Sequence, residues 1–189
     1  NNEITFIDFL PGGLHRSSTD KTRHLLHKWV PRTVRVTPPL NSVNVDWINF
    51  RMAELYLNLA EALNEYADTP PAEAFEAVNK VRQRAGMPDF PASLTKEQFR
   101  AKLRNERAVE LAFEDHRFWD IRRWMIAENE GVMRGKIYGL NISSPDGNKN
   151  HVHYKPYVFE NRSWSRHSYL HPLMQVEVDK GQLLQNPGW

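Results

Sequence analysis

The chain has 189 residues, of which 40% are hydrophobic and 25% charged, and a formal net charge of +2 at pH 7. This composition is typical of a folded protein with one core or one helical lobe. It excludes a disordered chain, and a nucleic-acid-binding surface is set aside because lysine and arginine alternate with acidic residues. Since the sequence contains no cysteine, a disulfide framework, a thiolate metal site and a cysteine nucleophile are also excluded.

Three segments follow one another along the chain. Residues 1–48 are punctuated by proline and glycine, which predicts extended chain and loops that pack on a larger body. Residues 49–129 have the apolar periodicity of helices and form the predicted helical core. Residues 130–189 return to turn-forming sequence and are predicted to be an irregular C-terminal segment.

Four helices are predicted in the core, at 49–66, 70–84, 95–114 and 118–129. The first is apolar around most of its circumference, which predicts packing on most sides. Thr69 is the predicted N-cap of the second, and Thr95 with Gln98 forms a capping box at the start of the third. The first two helices make a unit of about 35 residues, close to the tetratricopeptide (TPR) period. The sequence therefore predicts a mainly α fold: a TPR-like lobe of about four helices, with long irregular loops and little β.

Charged residues interrupt the predicted apolar stripe of the third helix. The stripe runs Phe99, Leu103, Val109 and Phe113, and Glu106 and Glu110 lie inside it. A buried carboxylate is costly unless it is paired, and arginine can satisfy two of its oxygens together. Two catalytic carboxylates are the alternative, but glycosidases bring theirs from opposite sides of the substrate, whereas these project from one helix face. A structural ion network is therefore favoured. It comprises Arg51, Glu54, Glu61, Arg82, Glu106, Arg107, Glu110, Arg117, Asp120 and Arg123.

Four motifs in this order carry a resemblance to one protein family. They are RMAELYLNLAEA at 51–62, AVNKVRQRAG at 77–86, NERAVELAFE with HRFWDIRRW at 105–124, and the chain end QNPGW at 185–189. Each is similar to a signature of the SusD/RagB family, so the resemblance covers residues 49–189. Asp115 departs from the pattern, because the family usually has glycine there.

The resemblance implies a SusD-like fold and a surface-exposed lipoprotein of the bacterial outer membrane. Such a protein sits over a TonB-dependent SusC-like transporter and captures oligosaccharides, polysaccharides or other nutrients without catalysis or a cofactor. Family members are usually far longer, so an N-terminal portion that contributes much of the ligand surface is expected upstream. No apolar run approaches the roughly 20 residues that cross a bilayer. The resemblance implies contact with the membrane only through a lipid anchor upstream of this chain.

Two other functions are weighed against nutrient binding. A TPR-like scaffold would bind a protein or peptide on its concave helical face. A glycoside hydrolase would rest on Glu106 and Glu110 alone. Neither a phosphate-binding glycine loop nor a serine nucleophile elbow is present in the sequence.

Aromatic residues in polar, irregular sequence are the candidate ligand contacts: Trp29, Tyr157 and Trp164. Tryptophan and tyrosine rings commonly hold the apolar faces of sugars, although these residues could instead pin loops onto the helical lobe. The segment 146–150 imitates the start of a calcium loop, but it lacks the required glycine and the final acidic residue. No metal site is predicted.

Overall fold

The computed structural model describes residues 10, 21–23, 26, 28–31, 44, 46–148 and 151–189. They belong to two compact units, one within residues 28–120 and the other within residues 1–27 and 121–189. Most of the predicted loop segment 1–48 lies outside the described residues. Within the described part, no helix is both long enough and apolar enough to span a membrane. The chain is mainly α with little β, as predicted.

Three helices build the core of residues 28–120. They are α1 (Met52–Tyr66), α2 (Ala72–Arg84) and α3 (Lys96–Glu110), and α1 packs against both of the others. Alanines at the contacts, such as Ala60 and Ala74, are fully buried and let the helix backbones approach closely. Phe99 fills the centre, with the ring of Phe75 edge-on at 4.9 Å between centroids. Burying such rings is the main favourable term for this lobe.

Only part of the α1 circumference is covered. Leu57 and Ala60 are fully buried, but Leu55 is 52% exposed and Leu59 is 41% exposed. The prediction that α1 packs on most sides is therefore wrong for this structure, because α2 and α3 cover a single face of it.

The helix ends follow local chemistry. The capping box at α3 is present: Thr95 Oγ1 accepts from Gln98 N at 3.3 Å, and Gln98 Oε1 accepts from Thr95 N at 3.0 Å. At α2 the N-cap is Pro71 rather than Thr69, and no side chain caps the helix.

The third helix ends earlier than predicted, at Glu110, and α4 (His116–Arg123) begins and ends earlier than predicted. In the intervening turn Phe113 has φ +64° and Asp115 has φ +62°. Left-handed residues cannot continue a right-handed helix, so the turn separates two helices. It also explains why glycine is usual at position 115, since glycine adopts this conformation without steric cost.

An antiparallel hairpin lies in the segment that was predicted to be irregular. It pairs β1 (Gly135–Ser143) with β2 (His153–Arg162). Leu140 is opposite Pro156, and the N–H of Leu140 points away from β2 to donate to Lys21 O at 3.0 Å. In this type of pair the backbone nitrogen of Pro156 also faces outward, where its lack of an N–H disrupts no ladder bond.

The chain end is held by polar side chains. After a 3₁₀ helix (Arg166–Tyr169) and the short α5 (Gln175–Val178), Gln185 donates to Leu173 O at 2.9 Å and accepts from Leu173 N at 2.8 Å. The Trp189 indole N–H donates to Leu170 O at 3.0 Å.

Candidate functional site

Among the described residues, the largest ion cluster lies at the C-terminal end of α3. Arg51 donates to Glu114 at 2.7 Å and to Glu110 Oε1 at 2.5 Å, and it also reaches the Glu110 carbonyl at 2.7 Å. Lys28 pairs with Glu114 and donates to the carbonyls of Glu110 and Ala112 at 2.8 and 3.0 Å. Cations are favourable at a helix C-terminus, where carbonyls lack partners. The cluster therefore fixes the turn that follows α3.

The electrostatics of Glu114 follow from these contacts. Burial alone would raise the pKa of its carboxyl, but hydrogen bonds from Arg51 and Lys28 outweigh burial and hold the pKa below its usual range. The same hydrogen bond to Glu114 raises the pKa of Arg51. Both groups are therefore charged at neutral pH.

A second pair joins α2 to α3. Arg82 binds Glu106, and both side chains are 13% exposed. Arg82 also donates to Pro88 O at 2.7 Å, and its guanidinium lies 4.8 Å from the centroid of the Phe90 ring. Arg82 thus connects the loop after α2 to the middle of α3.

Arg107 makes the most deeply buried pair, with Asp120 at 2.7 Å, and these side chains are 5% and 4% exposed. Another nitrogen of the Arg107 guanidinium, Nη1, donates to Asn58 Oδ1 on α1 at 2.5 Å. Burial lowers the pKa of Arg117, and the charge of Asp120 partly offsets this effect. The Asp120 carboxylate therefore stabilises the charged forms of both Arg107 and Arg117.

The remaining members of the predicted network lie elsewhere. Glu54 is buried on α1, 3.6 Å from His116 Nε2, and Glu61 is half-buried on the same helix. Arg123 places its guanidinium 4.7 Å from the centroid of the Trp124 ring.

The two candidate catalytic carboxylates belong to separate ion pairs. Glu106 binds Arg82, whereas Glu110 binds Arg51 and Arg84, the latter at 2.8 Å. Glu106 lines an open cavity of about 680 Å³ beside Arg82, but Glu110 is not among its lining residues. The two carboxylates are therefore bound by different arginines, and only one of them lines this cavity, whereas a two-carboxylate hydrolase requires both at one substrate.

Trp29 lies in a stacked aromatic pair. Its indole N–H donates to Phe113 O at 2.9 Å, and its ring stacks on Trp47 with centroids 5.0 Å apart and planes 20° apart. Trp47 is 53% exposed. Trp47 was not among the predicted residues, although it sits between Asp46 and Asn49 in irregular sequence, the same pattern that selected the others.

The other two aromatic candidates have different surroundings. Tyr157 is exposed on β2 opposite Gly139, and its ring lies so close that a side chain at Gly139 would touch it. The ring of Trp164 lies 5.1 Å from the guanidinium of Arg122 and packs against Tyr169, with centroids 5.5 Å apart. Part of Trp164 is therefore already occupied.

Within the described residues, no three histidine or acidic side chains are placed to hold a metal ion. In the calcium-like segment, Asp146 accepts from Asn148 N at 2.9 Å and pairs with His151 at 2.6 Å. These hydrogen bonds, with that of His151 the largest, lower the pKa of the Asp146 carboxyl. The segment is a polar turn.

Comparison with known proteins assigns the chain to a protein family. The model of the SusD family matches residues 10–189. A SusD-like protein of Formosa agariphila is 43% identical over 82 residues, which are 42% of this chain and 15% of that protein. A second SusD-like protein of the same organism is 33% identical over 116 residues, 57% of this chain and 22% of that protein.

Solved structures of SusD-like proteins are also similar to this chain. A SusD-like protein of Bacteroides fragilis superposes with a TM-score of 0.65 at 37% identity, covering 77% of this chain and 26% of that one. A SusD homolog of Bacteroides thetaiotaomicron gives a TM-score of 0.54 at 28% identity, covering 80% and 30%. The chain thus spans less than a third of each of these relatives. Since the family match extends over nearly all of its length, the chain belongs to the SusD family.

Proposed function

We propose that the chain is part of a non-enzymatic protein that binds glycans or other nutrients at the surface of the bacterial outer membrane. In this proposal the whole protein is a lipoprotein that delivers its ligand to a TonB-dependent SusC-like transporter. Family membership supports it, because SusD-like proteins are typically non-catalytic binding proteins associated with the outer membrane. The separate pairing of Glu106 and Glu110 also supports binding without hydrolysis.

The observation that carries glycan binding is the Trp29–Trp47 pair. The Trp29 ring is held by its hydrogen bond to Phe113 O, and it stacks on one face of the Trp47 ring. The Trp47 side chain remains 53% exposed, and its neighbours Asp46 and Asn49 are exposed as well. An aromatic ring held rigidly loses little entropy when a sugar stacks on it, and adjacent polar groups can bind hydroxyls.

Replacement of Trp47 tests this proposal. We expect Trp47→Ala to weaken binding of a recognised oligosaccharide by about 1 kcal/mol, roughly fivefold. Affinity electrophoresis in gels that contain polysaccharides detects such weak contacts, because a polymer presents many sites. Trp119→Ala is the matched control, since it removes a tryptophan that is 65% exposed on α4. Equal retardation of wild type and Trp47→Ala would contradict the assignment.

One observation favours the alternative of a TPR-like scaffold that binds a protein or peptide. The exposed apolar residues of α1, including Leu55 and Leu59, are spaced to receive an amphipathic helix. Two substitutions, Leu55→Lys and Trp47→Ala, distinguish these two functions. A peptide ligand is lost on Leu55→Lys and retained on Trp47→Ala, whereas a glycan shows the reverse.

A further inference from the structure

A cavity of about 650 Å³ lies at the C-terminal end of the chain, within residues 121–189. Its apolar wall is formed by Met125, Tyr169, Leu170 and Pro187, and its polar side by Arg166 and His167. Ligand sites of proteins have about this volume, with mainly apolar walls and a few polar groups. Neither the ion clusters nor the Trp29–Trp47 pair involves any of these residues.

The wall of the cavity is fixed before a ligand arrives. The Trp189 ring meets the His167 ring edge-on at 4.4 Å between centroids, and its indole N–H donates to His167 O at 3.2 Å. Gly188 has φ +92°, and a Cβ there would lie 2.7 Å from His167 Cβ, so glycine permits this close approach. Behind the wall, the Tyr169 hydroxyl accepts from Glu128 N at 3.3 Å.

Arg166 gives the cavity lining a positive charge. Arg166 is exposed, and among the described residues no carboxylate pairs with its guanidinium. The cavity lining contains no aspartate or glutamate within the described part of the chain. By contrast, Arg162 nearby in the sequence is paired with Glu160 at 3.0 Å. An arginine and a tyrosine that line the same cavity offer a fork for an oxyanion and an apolar surface for a ring.

We infer that this cavity binds an anionic saccharide. The Arg166 guanidinium receives its carboxylate or sulfate, and the sugar ring packs on Tyr169 and Leu170. The inference rests on the proposed function, because it specifies which glycans this part of the protein favours. The site is separate from the Trp47 platform, which would take neutral sugars as well.

Calorimetry on the full chain with three oligosaccharides of equal length tests the inference. One ligand carries uronic acids, one carries sulfate esters on a neutral backbone, and one is neutral. We expect Arg166→Gln to weaken binding of an anionic ligand by about tenfold while leaving the neutral ligand unaffected. Added salt should weaken the anionic ligand alone. Arg162→Gln is the control, since it also removes one arginine charge.

The results separate this site from the proposed function. A difference between the uronate and sulfate arms identifies the anion. Equal affinity of wild type and Arg166→Gln, an equal loss in Arg162→Gln, or no binding of either anionic ligand overturns the cavity assignment. In each of these cases, binding of the neutral ligand that depends on Trp47 leaves the proposed function standing. If no saccharide binds, both fall.

Discussion

Phe113 and Asp115 hold left-handed backbone conformations that residues other than glycine rarely adopt. Both lie in the turn between α3 and α4, where Lys28 and Trp29 bind backbone carbonyls. These hydrogen bonds offset a conformational cost of about 1–3 kcal/mol for each such residue. The sequence signals this turn only through the family pattern, in which position 115 is usually glycine.

Substitution of Asp115 measures that cost. We expect Asp115→Gly to leave the free energy of unfolding unchanged or to raise it by up to about 1 kcal/mol, whereas Asp115→Val should lower it by about 1–2 kcal/mol. Urea denaturation gives both values. Asp68→Val is the control, because Asp68 is exposed outside the helices and lacks a positive φ. A valine at 115 that unfolds like wild type would contradict the backbone argument.

The Arg82–Glu106 pair is expected to be structural. Removing the carboxylate in Glu106→Ala leaves Arg82 charged and largely buried, so we expect a loss of about 3 kcal/mol in the free energy of unfolding. Glu177→Ala breaks the exposed pair with Lys180 and should cost no more than about 0.5 kcal/mol. A melting temperature of Glu106→Ala equal to that of wild type would show that the pair contributes nothing.

At the scale of elements, periodicity and caps predicted α1, α2 and the start of α3 to within three residues. The end of α3 was missed because the 111–115 turn depends on Lys28, Trp29 and Arg51, which lie far away in sequence. The hairpin was missed because Pro156 and the long connection at 144–152 weaken the strand signal. The outer edge of β1 also bonds to a distant residue, Lys21, and no local pattern encodes this contact.

The capping box of α3 can be tested alone. Thr95→Ala removes the acceptor for Gln98 N, and we expect it to cost about 1 kcal/mol in the free energy of unfolding. Thr69→Ala should change it by less than about 0.5 kcal/mol, because Thr69 is not the cap of α2. Chemical denaturation of both variants distinguishes them, and equal costs would assign a capping role to Thr69 after all.

For the whole molecule, the candidate site was only partly visible in sequence. Trp29 was identified and Trp47 lies in the same sequence pattern, but their stacking and the C-terminal cavity required the structure, because both depend on tertiary packing. The exposed apolar face of α1 is also a tertiary property. Leu55 and Leu59 leave this face open to solvent in the structure.

We expect that open face to make the isolated chain self-associate and bind a hydrophobic dye. The double variant L55K/L59K should reduce both while leaving the melting temperature nearly unchanged, because both positions are exposed. Leu57→Lys is the contrasting variant: its side chain is fully buried, and the substitution should unfold the lobe. Analytical ultracentrifugation and dye fluorescence give the readouts. Undiminished self-association in L55K/L59K would show that another surface mediates it.

The position of Pro156 has a consequence for how the hairpin meets other molecules. The described sheet has only two strands, so one side of β2 carries no neighbouring strand. A peptide that aligned there as a third strand would find no donor at Pro156, in the middle of the strand. Polymerisation through sheet edges, the common hazard of exposed hairpins, is blocked at that point. A strand that added to this edge of β2 would therefore lack one backbone hydrogen bond at Pro156.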